Sequence, residues 1–181
     1  MTNSSYASTF TQKLQELNWE PIAYKLNSQG WNEKKTSRGI IRYIMFLILC
    51  HLYPNSTIVA DEEVDEVWHT HILDTMKYAQ DCQYLFGHFL HHFPYLGLRG
   101  EDDKKRLNSA FDNTQLLYSE HFGNQYTSTL NPASCQPPIV SKNLNSPASC
   151  EPIISSYGTN LDRPSAKVNL TQWDWSWVIS T

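Results

Sequence analysis

Helix starts and stops recur along the first two thirds of this chain, with no strand pattern between them. Phe10, Leu14 and Leu17 return at helical spacing. Pro21 fits the first turn of a second, short helix, where its missing N–H costs nothing, and Gly30 breaks that helix. Asn32 is placed to cap a long helix that runs to Tyr53 and is stopped by Pro54. Asp61, Glu62 and Glu63 open the next one, with acids where the positive end of the helix dipole favours them. Asp74 is placed to cap a restarted helix ending at Gly87, so a break is expected near Ile72 and Leu73. Glu101, Asp102 and Asp103 open a last helix through Leu107, Phe111, Leu116 and Leu117 to Gly123. The fold class that follows is all-α: a compact helical bundle of about five or six helices over residues 1–123.

From residue 124 to 181 the chain changes to Ser, Asn and Pro with few helix formers, which predicts a long, mostly irregular tail. A duplicated Pro-Ala-Ser-Cys unit ends at Cys135 and again at Cys150. Trp173, Trp175 and Trp177 then alternate with polar or small residues, which is strand period. Three rings on one face predict a docking segment, for a protein partner or for self-association.

The net charge of −4 gives no basic face, so nucleic-acid binding is not expected. The most apolar run, Ile40 to Tyr53, carries Arg42 and His51 and is shorter than the about 20 residues a membrane span needs. The first residues lack a basic stretch followed by an apolar run, and four cysteines without such a signal suit a reducing, cytoplasmic setting. There is no GxSxG, no glycine-rich phosphate loop, no HExxH and no CxxC. An enzyme would have to be built without those signatures, so the sequence leaves catalysis undecided.

Five of the seven histidines lie between Asp61 and Gly100, together with Asp81 and Cys82. Asp65 and His69 are four apart and share a helix face, where the carboxylate can hold one imidazole nitrogen. His71 lies about 200° round from His69 on a regular helix, so both reach one site only if the helix ends or kinks between them. His88, His91 and His92 share one side if their segment is helical. The ligand set read from this pattern is His69, His71, His91 and His92, with Cys82 and Asp81 in reserve and Asp65 and Tyr78 holding ligands in place. Such donors suit one transition-metal ion, zinc, copper or iron. A second reading stands beside the first: a satisfied polar core with imidazoles bonded to Asp65 or to backbone carbonyls, and Tyr78, Asp81 and Cys82 completing it. Cys50 reads as a core thiol, and His121 as a cap near a helix C-terminus. Trp68 and Phe86 read as buried between helices, with Leu73 and Leu85 near them.

The segments Trp68-His-Thr-His71, Tyr78, Asp81-Cys82, Phe86-Gly87 and His91-His92-Phe-Pro94 resemble the glycine-rich domain-containing protein-like family in its short, cyanobacterial-type form. Pro21 to Leu26, Tyr53 to Ile58 and Phe93 to Gly100 fit the same form, so the resemblance covers residues 15–123 or so. It implies a helical domain and brings no reaction with it. Three functions follow from the residues. The first is a His-rich metal-binding helical protein, either a small metalloenzyme or a metal carrier. The second is a non-enzymatic adaptor that binds a partner through its Cys repeat and Trp-rich tail. The third is a domain carrying a fused peptide substrate in that tail.

Overall fold

The computed structural model describes residues 3–133 and 163–171. Six α-helices follow in order: α1 Asn3–Glu16, α2 Glu20–Ser28, α3 Glu33–Leu52, α4 Glu62–Leu73, α5 Thr75–Phe86 and α6 Glu101–Phe122. A single 3-10 turn, Asn124–Tyr126, closes the series. The described residues hold no strand, only an isolated antiparallel bridge between Asp61 and Pro132. The all-α reading therefore holds.

Helix α3 is the hub, because its sequence from Ile40 to Leu49 is apolar all round but for Arg42. It touches α1, α2, α4 and α6, while α5 lies outside on α1 and α4. Tyr43, Ile44, Met45, Phe46, Leu47, Ile48 and Leu49 are all buried. Gly39 is required on this helix: a Cβ there would meet the Trp31 ring at 2.6 Å, so glycine lets the indole edge approach the α3 backbone.

The expected caps form. Asn32 Oδ1 accepts from Lys35 N at 2.9 Å and Asp61 Oδ1 from Val64 N at 2.9 Å. Asp74 Oδ1 accepts from Lys77 N at 3.3 Å, which restarts the chain as α5. Gly87, at φ 76°, ends α5 in the left-handed conformation that glycine adopts without steric cost. The break between α4 and α5 falls at Asp74, one residue beyond Leu73, and His69 and His71 stay on one unbroken helix.

Trp68 is buried and Phe86 is partly buried against the same core, with Leu85 buried beside it. Leu73 differs from the expectation: it is 75% exposed, because the chain turns at Asp74 and leaves it at the outer corner.

The described parts of the tail return to the helices. Ala133 N donates to Ala60 O at 2.9 Å. Arg163 pairs with Asp74, Nη2 to Oδ1 being 3.0 Å, and Ala166 N donates to Glu20 O at 3.2 Å. Asn169 N donates to the Ser37 hydroxyl at 3.3 Å, and Ala166, Val168 and Leu170 pack on the main core. Cys135, Cys150, Trp173, Trp175 and Trp177 lie outside the described residues. Among the described residues no helix is long and apolar enough to cross a membrane.

Candidate metal centre

Asp65 and His69 sit one turn apart on α4, and the loop leaving α5 brings His92 to the same point. Asp65 Oδ1 is 2.9 Å from His92 Nε2, and Asp65 Oδ2 is 3.4 Å from His69 Nδ1. One donor atom from each of the three lies within 4.8 Å of the others. Two ligands bound to a common ion at about 2.0–2.2 Å, with angles of about 90–110°, stand roughly 2.9–3.5 Å apart. The two contacts run to different oxygens of Asp65, so each falls in that range for an ion that the carboxylate holds through Oδ1 and Oδ2 together. His69 and His92 are themselves neighbours, with donor atoms within 4.8 Å and ring centroids 4.6 Å apart. The 2.9 Å contact suits a hydrogen bond from His92 Nε2–H to the carboxylate, and an ion held here would take the place of that proton.

The loop is pinned where it matters. Tyr78 O–H donates to Leu90 O, two residues before His92, and Trp68 Nε1–H donates to the Tyr78 oxygen at 2.9 Å. The Trp68 ring meets the His92 ring edge-on, with centroids 4.5 Å apart. Burial raises the Tyr78 phenol well above its usual range, so it stays a neutral donor. Tyr78 thus fixes the backbone two residues before His92.

The other residues singled out by sequence go elsewhere. His71 faces the opposite way, into the core, at 1% exposure. Its Nε2–H donates to Asp81 Oδ2 at 2.9 Å, and its Nδ1 accepts from the Tyr43 hydroxyl at 3.1 Å. Both ring nitrogens are thereby used. Burial lowers the His71 pKa, outweighing the carboxylate of Asp81 that raises it. Asp81 also accepts from the Lys77 ammonium at 2.7 Å. Cys82 is buried, and burial raises its thiol above the ordinary range. His91 is exposed and its ring lies against Phe89, with centroids 4.9 Å apart. His88 is exposed, with Nδ1 3.1 Å from Phe86 O.

So the six ligand candidates divide. His69 and His92 come together; His71 and Asp81 form a separate buried network with Tyr43 and Lys77; Cys82 is in the core; His91 stands at the surface. Asp65, read from sequence as a support for one imidazole, supplies the third donor. A cavity of about 350 Å³ opens beside Asp65 and His92, and its wall includes Ile58, Val59 and Leu107, which sequence reasoning did not single out. They come from two separate segments, the stretch before α4 and helix α6, and no local pattern joins them.

The family described as UCP032817-like matches residues 13–114, a span that holds Asp65, His69 and His92. The chain belongs to this family. Glycine-rich domain-containing protein 1 of Arabidopsis thaliana is 32% identical over 92 residues, which is 49% of this chain and 11% of that protein. The chain thus matches only a small part of that relative's length. No solved structure matches it.

Proposed function

We propose that this UCP032817-like protein binds one divalent transition-metal ion through Asp65, His69 and His92. The observation that supports this is the convergence of one carboxylate and two imidazoles at ligand spacing, from two separate segments. Two histidines and a carboxylate suit zinc, iron or copper. Three protein donors leave further coordination positions open, as catalytic rather than structural sites do. The adjoining cavity gives those positions somewhere to face, which favours a small metalloenzyme over a carrier. When bound, the ion would act as a Lewis acid or lower the pKa of a bound water; the protein's own part is to orient the donors through Tyr78 and Trp68.

The test is metal uptake by the full chain purified without a His-tag and loaded with zinc or cobalt. The expected result is about one ion per chain, lost in Asp65→Ala and in His92→Ala while helical circular dichroism persists. Wild type that retains no more metal than Asp65→Ala would refute the reading.

Three further expectations stand as proposals on sequence alone. They are the short-form assignment within the glycine-rich domain-containing relatives, a cytoplasmic setting, and partner capture by Trp173, Trp175 and Trp177.

A further inference from the structure

The cavity beside the candidate metal centre is walled by apolar side chains, chiefly Ile58, Val59, Trp68, Phe93, Leu96 and Leu107. Thr57, Asp65, His91 and His92 break that surface, together with Arg99. Its 350 Å³ lies within the range of small-molecule sites and has room for roughly ten heavy atoms, taking about 30 Å³ for each.

The walls are fixed by polar contacts. Val59 N donates to the Thr114 hydroxyl at 3.1 Å, tying the segment before α4 to α6. Asp103 accepts from Gly97 N at 2.7 Å and from Arg99 N at 3.3 Å, which folds the opposite loop onto the start of α6. Gly97 lies so close that a Cβ would meet Leu107 Cδ2 at 2.5 Å. Arg99 is the cation on this wall, and its guanidinium is engaged by Asp103, Nη2 to Oδ1 being 2.6 Å. It is therefore a poor anchor for a second anion. The charge a ligand meets is that of the ion and Asp65 together, a divalent cation less one carboxylate, leaving a single positive charge.

We infer that the cavity binds a small organic molecule with one anionic oxygen-donor head and an aromatic or short aliphatic body. The head takes the open positions on the ion held by Asp65, His69 and His92, and the body lies against Trp68, Val59 and Leu107. The inference rests on the metal-binding reading and adds the ligand class to it. Burial of one ring against such a wall favours the ring-bearing ligand, since apolar area removed from water stabilises at about 25 cal/mol per Å².

Acetohydroxamate and benzohydroxamate test this, because both chelate through the same two oxygens and differ in the body alone. Titrated calorimetrically into the cobalt-loaded full chain, benzohydroxamate should bind at least about tenfold tighter. Leu96→Trp, which fills the cavity from a partly exposed position, should remove that preference and leave cobalt affinity unchanged. Equal affinities for the two hydroxamates in wild type, with cobalt bound, would overturn the inference and leave the metal reading standing. A preference that survives in cobalt-loaded Leu96→Trp would also overturn it, by placing the ring elsewhere. A chain that takes up no cobalt overturns both readings.

Discussion

Arg42 reaches Asp61 inside the protein, with both side chains only 1% exposed. The two oxygens of Asp61 have separate tasks: Oδ2 takes the guanidinium, while Oδ1 accepts from Val64 N and caps α4. The helix that carries Asp65 and His69 is thus fastened at its first turn to the hub helix α3. Removing the charge of one partner strands the other in a low-dielectric interior, which costs about 3–5 kcal/mol. Asp61→Asn should lower the free energy of urea unfolding by about that amount. Burial pushes the Asp61 carboxyl up, but the Arg42 contact and the Val64 N–H outweigh it and hold it below the usual range. A depressed carboxyl stabilises the fold above its unfolded pKa, near 3.9, and that contribution is lost as pH falls through the folded value. Wild-type stability should therefore decline below about pH 4, and Asp61→Asn should decline less steeply. Parallel acid profiles for the two proteins would contradict this assignment.

Asp103 plays the corresponding part at the other wall of the cavity. Its carboxyl is held down to about 2 by Arg99, against the opposing effect of burial, with the N–H groups of Gly97 and Arg99 helping. Asp103→Asn should speed amide hydrogen exchange at Gly97 and Arg99, measured at one neutral pH, while exchange in α3 stays unchanged. Uniform protection in the variant would mean that the loop is held by its apolar contacts alone.

The split between His69 and His71 gives a third prediction. His92→Ala and His69→Ala should weaken cobalt binding by an order of magnitude or more, whereas His91→Ala should leave it near wild type. His71→Ala should instead lower the melting temperature, because it strands Tyr43 and Asp81 without their shared partner. Loss of metal in His91→Ala with His69→Ala unaffected would replace His69 by His91 in the ligand set.

Much of this was legible in the sequence, for local reasons. Asn32, Asp61 and Asp74 cap helices because their short side chains reach the N–H three residues on, a relation that needs no tertiary knowledge. The Asp65–His69 pair followed from the same one-turn spacing. The rest depends on where helices stop in space. His69 and His71 were open to convergence only if α4 broke between them, and it continues to Leu73. His91 and His92 lie in a loop, so no periodicity tells which of two neighbouring rings turns inward. Arg42, a lone cation in an apolar run, was visible as an anomaly, but its partner sits 19 positions away.

Trp68 connects core and site. It is buried, packs against Phe46 at a tilt with centroids 5.0 Å apart, meets His92 at 4.5 Å and donates to Tyr78. Trp68→Ala should cost about 3–5 kcal/mol of stability. Trp68→Phe keeps most of the packing and loses the indole N–H, so it should cost less, yet still weaken metal binding through a looser His92. An unchanged melting temperature in Trp68→Ala would place the ring outside the core.

Truncation after Gly123 tests how far the tail belongs to the fold. By composition alone, residues beyond 123 read as a mostly irregular tail, whose removal would cost little. The described contacts argue for a measurable one. Arg42 Nε donates to Tyr126 O at 3.4 Å, Ser128 N donates to Gln115 Oε1 at 2.6 Å, and Ala133 N donates to Ala60 O at 2.9 Å. Arg163 on Asp74 is partly exposed, so that pair contributes no more than about 1 kcal/mol. Ala166, Val168 and Leu170 cover part of the core and together add on the order of 2–3 kcal/mol at most. The hub helix keeps α1, α2, α4 and α6 around it without any of these residues. Residues 1–123 should therefore retain their helical circular dichroism and unfold cooperatively, at a lower urea midpoint than the full chain. A second truncation, after Leu161, should recover part of the loss, because it restores the contacts of Tyr126, Ser128 and Ala133. If residues 1–123 lose helicity outright, the tail is part of the core; if the midpoint does not move, its contacts contribute nothing to stability.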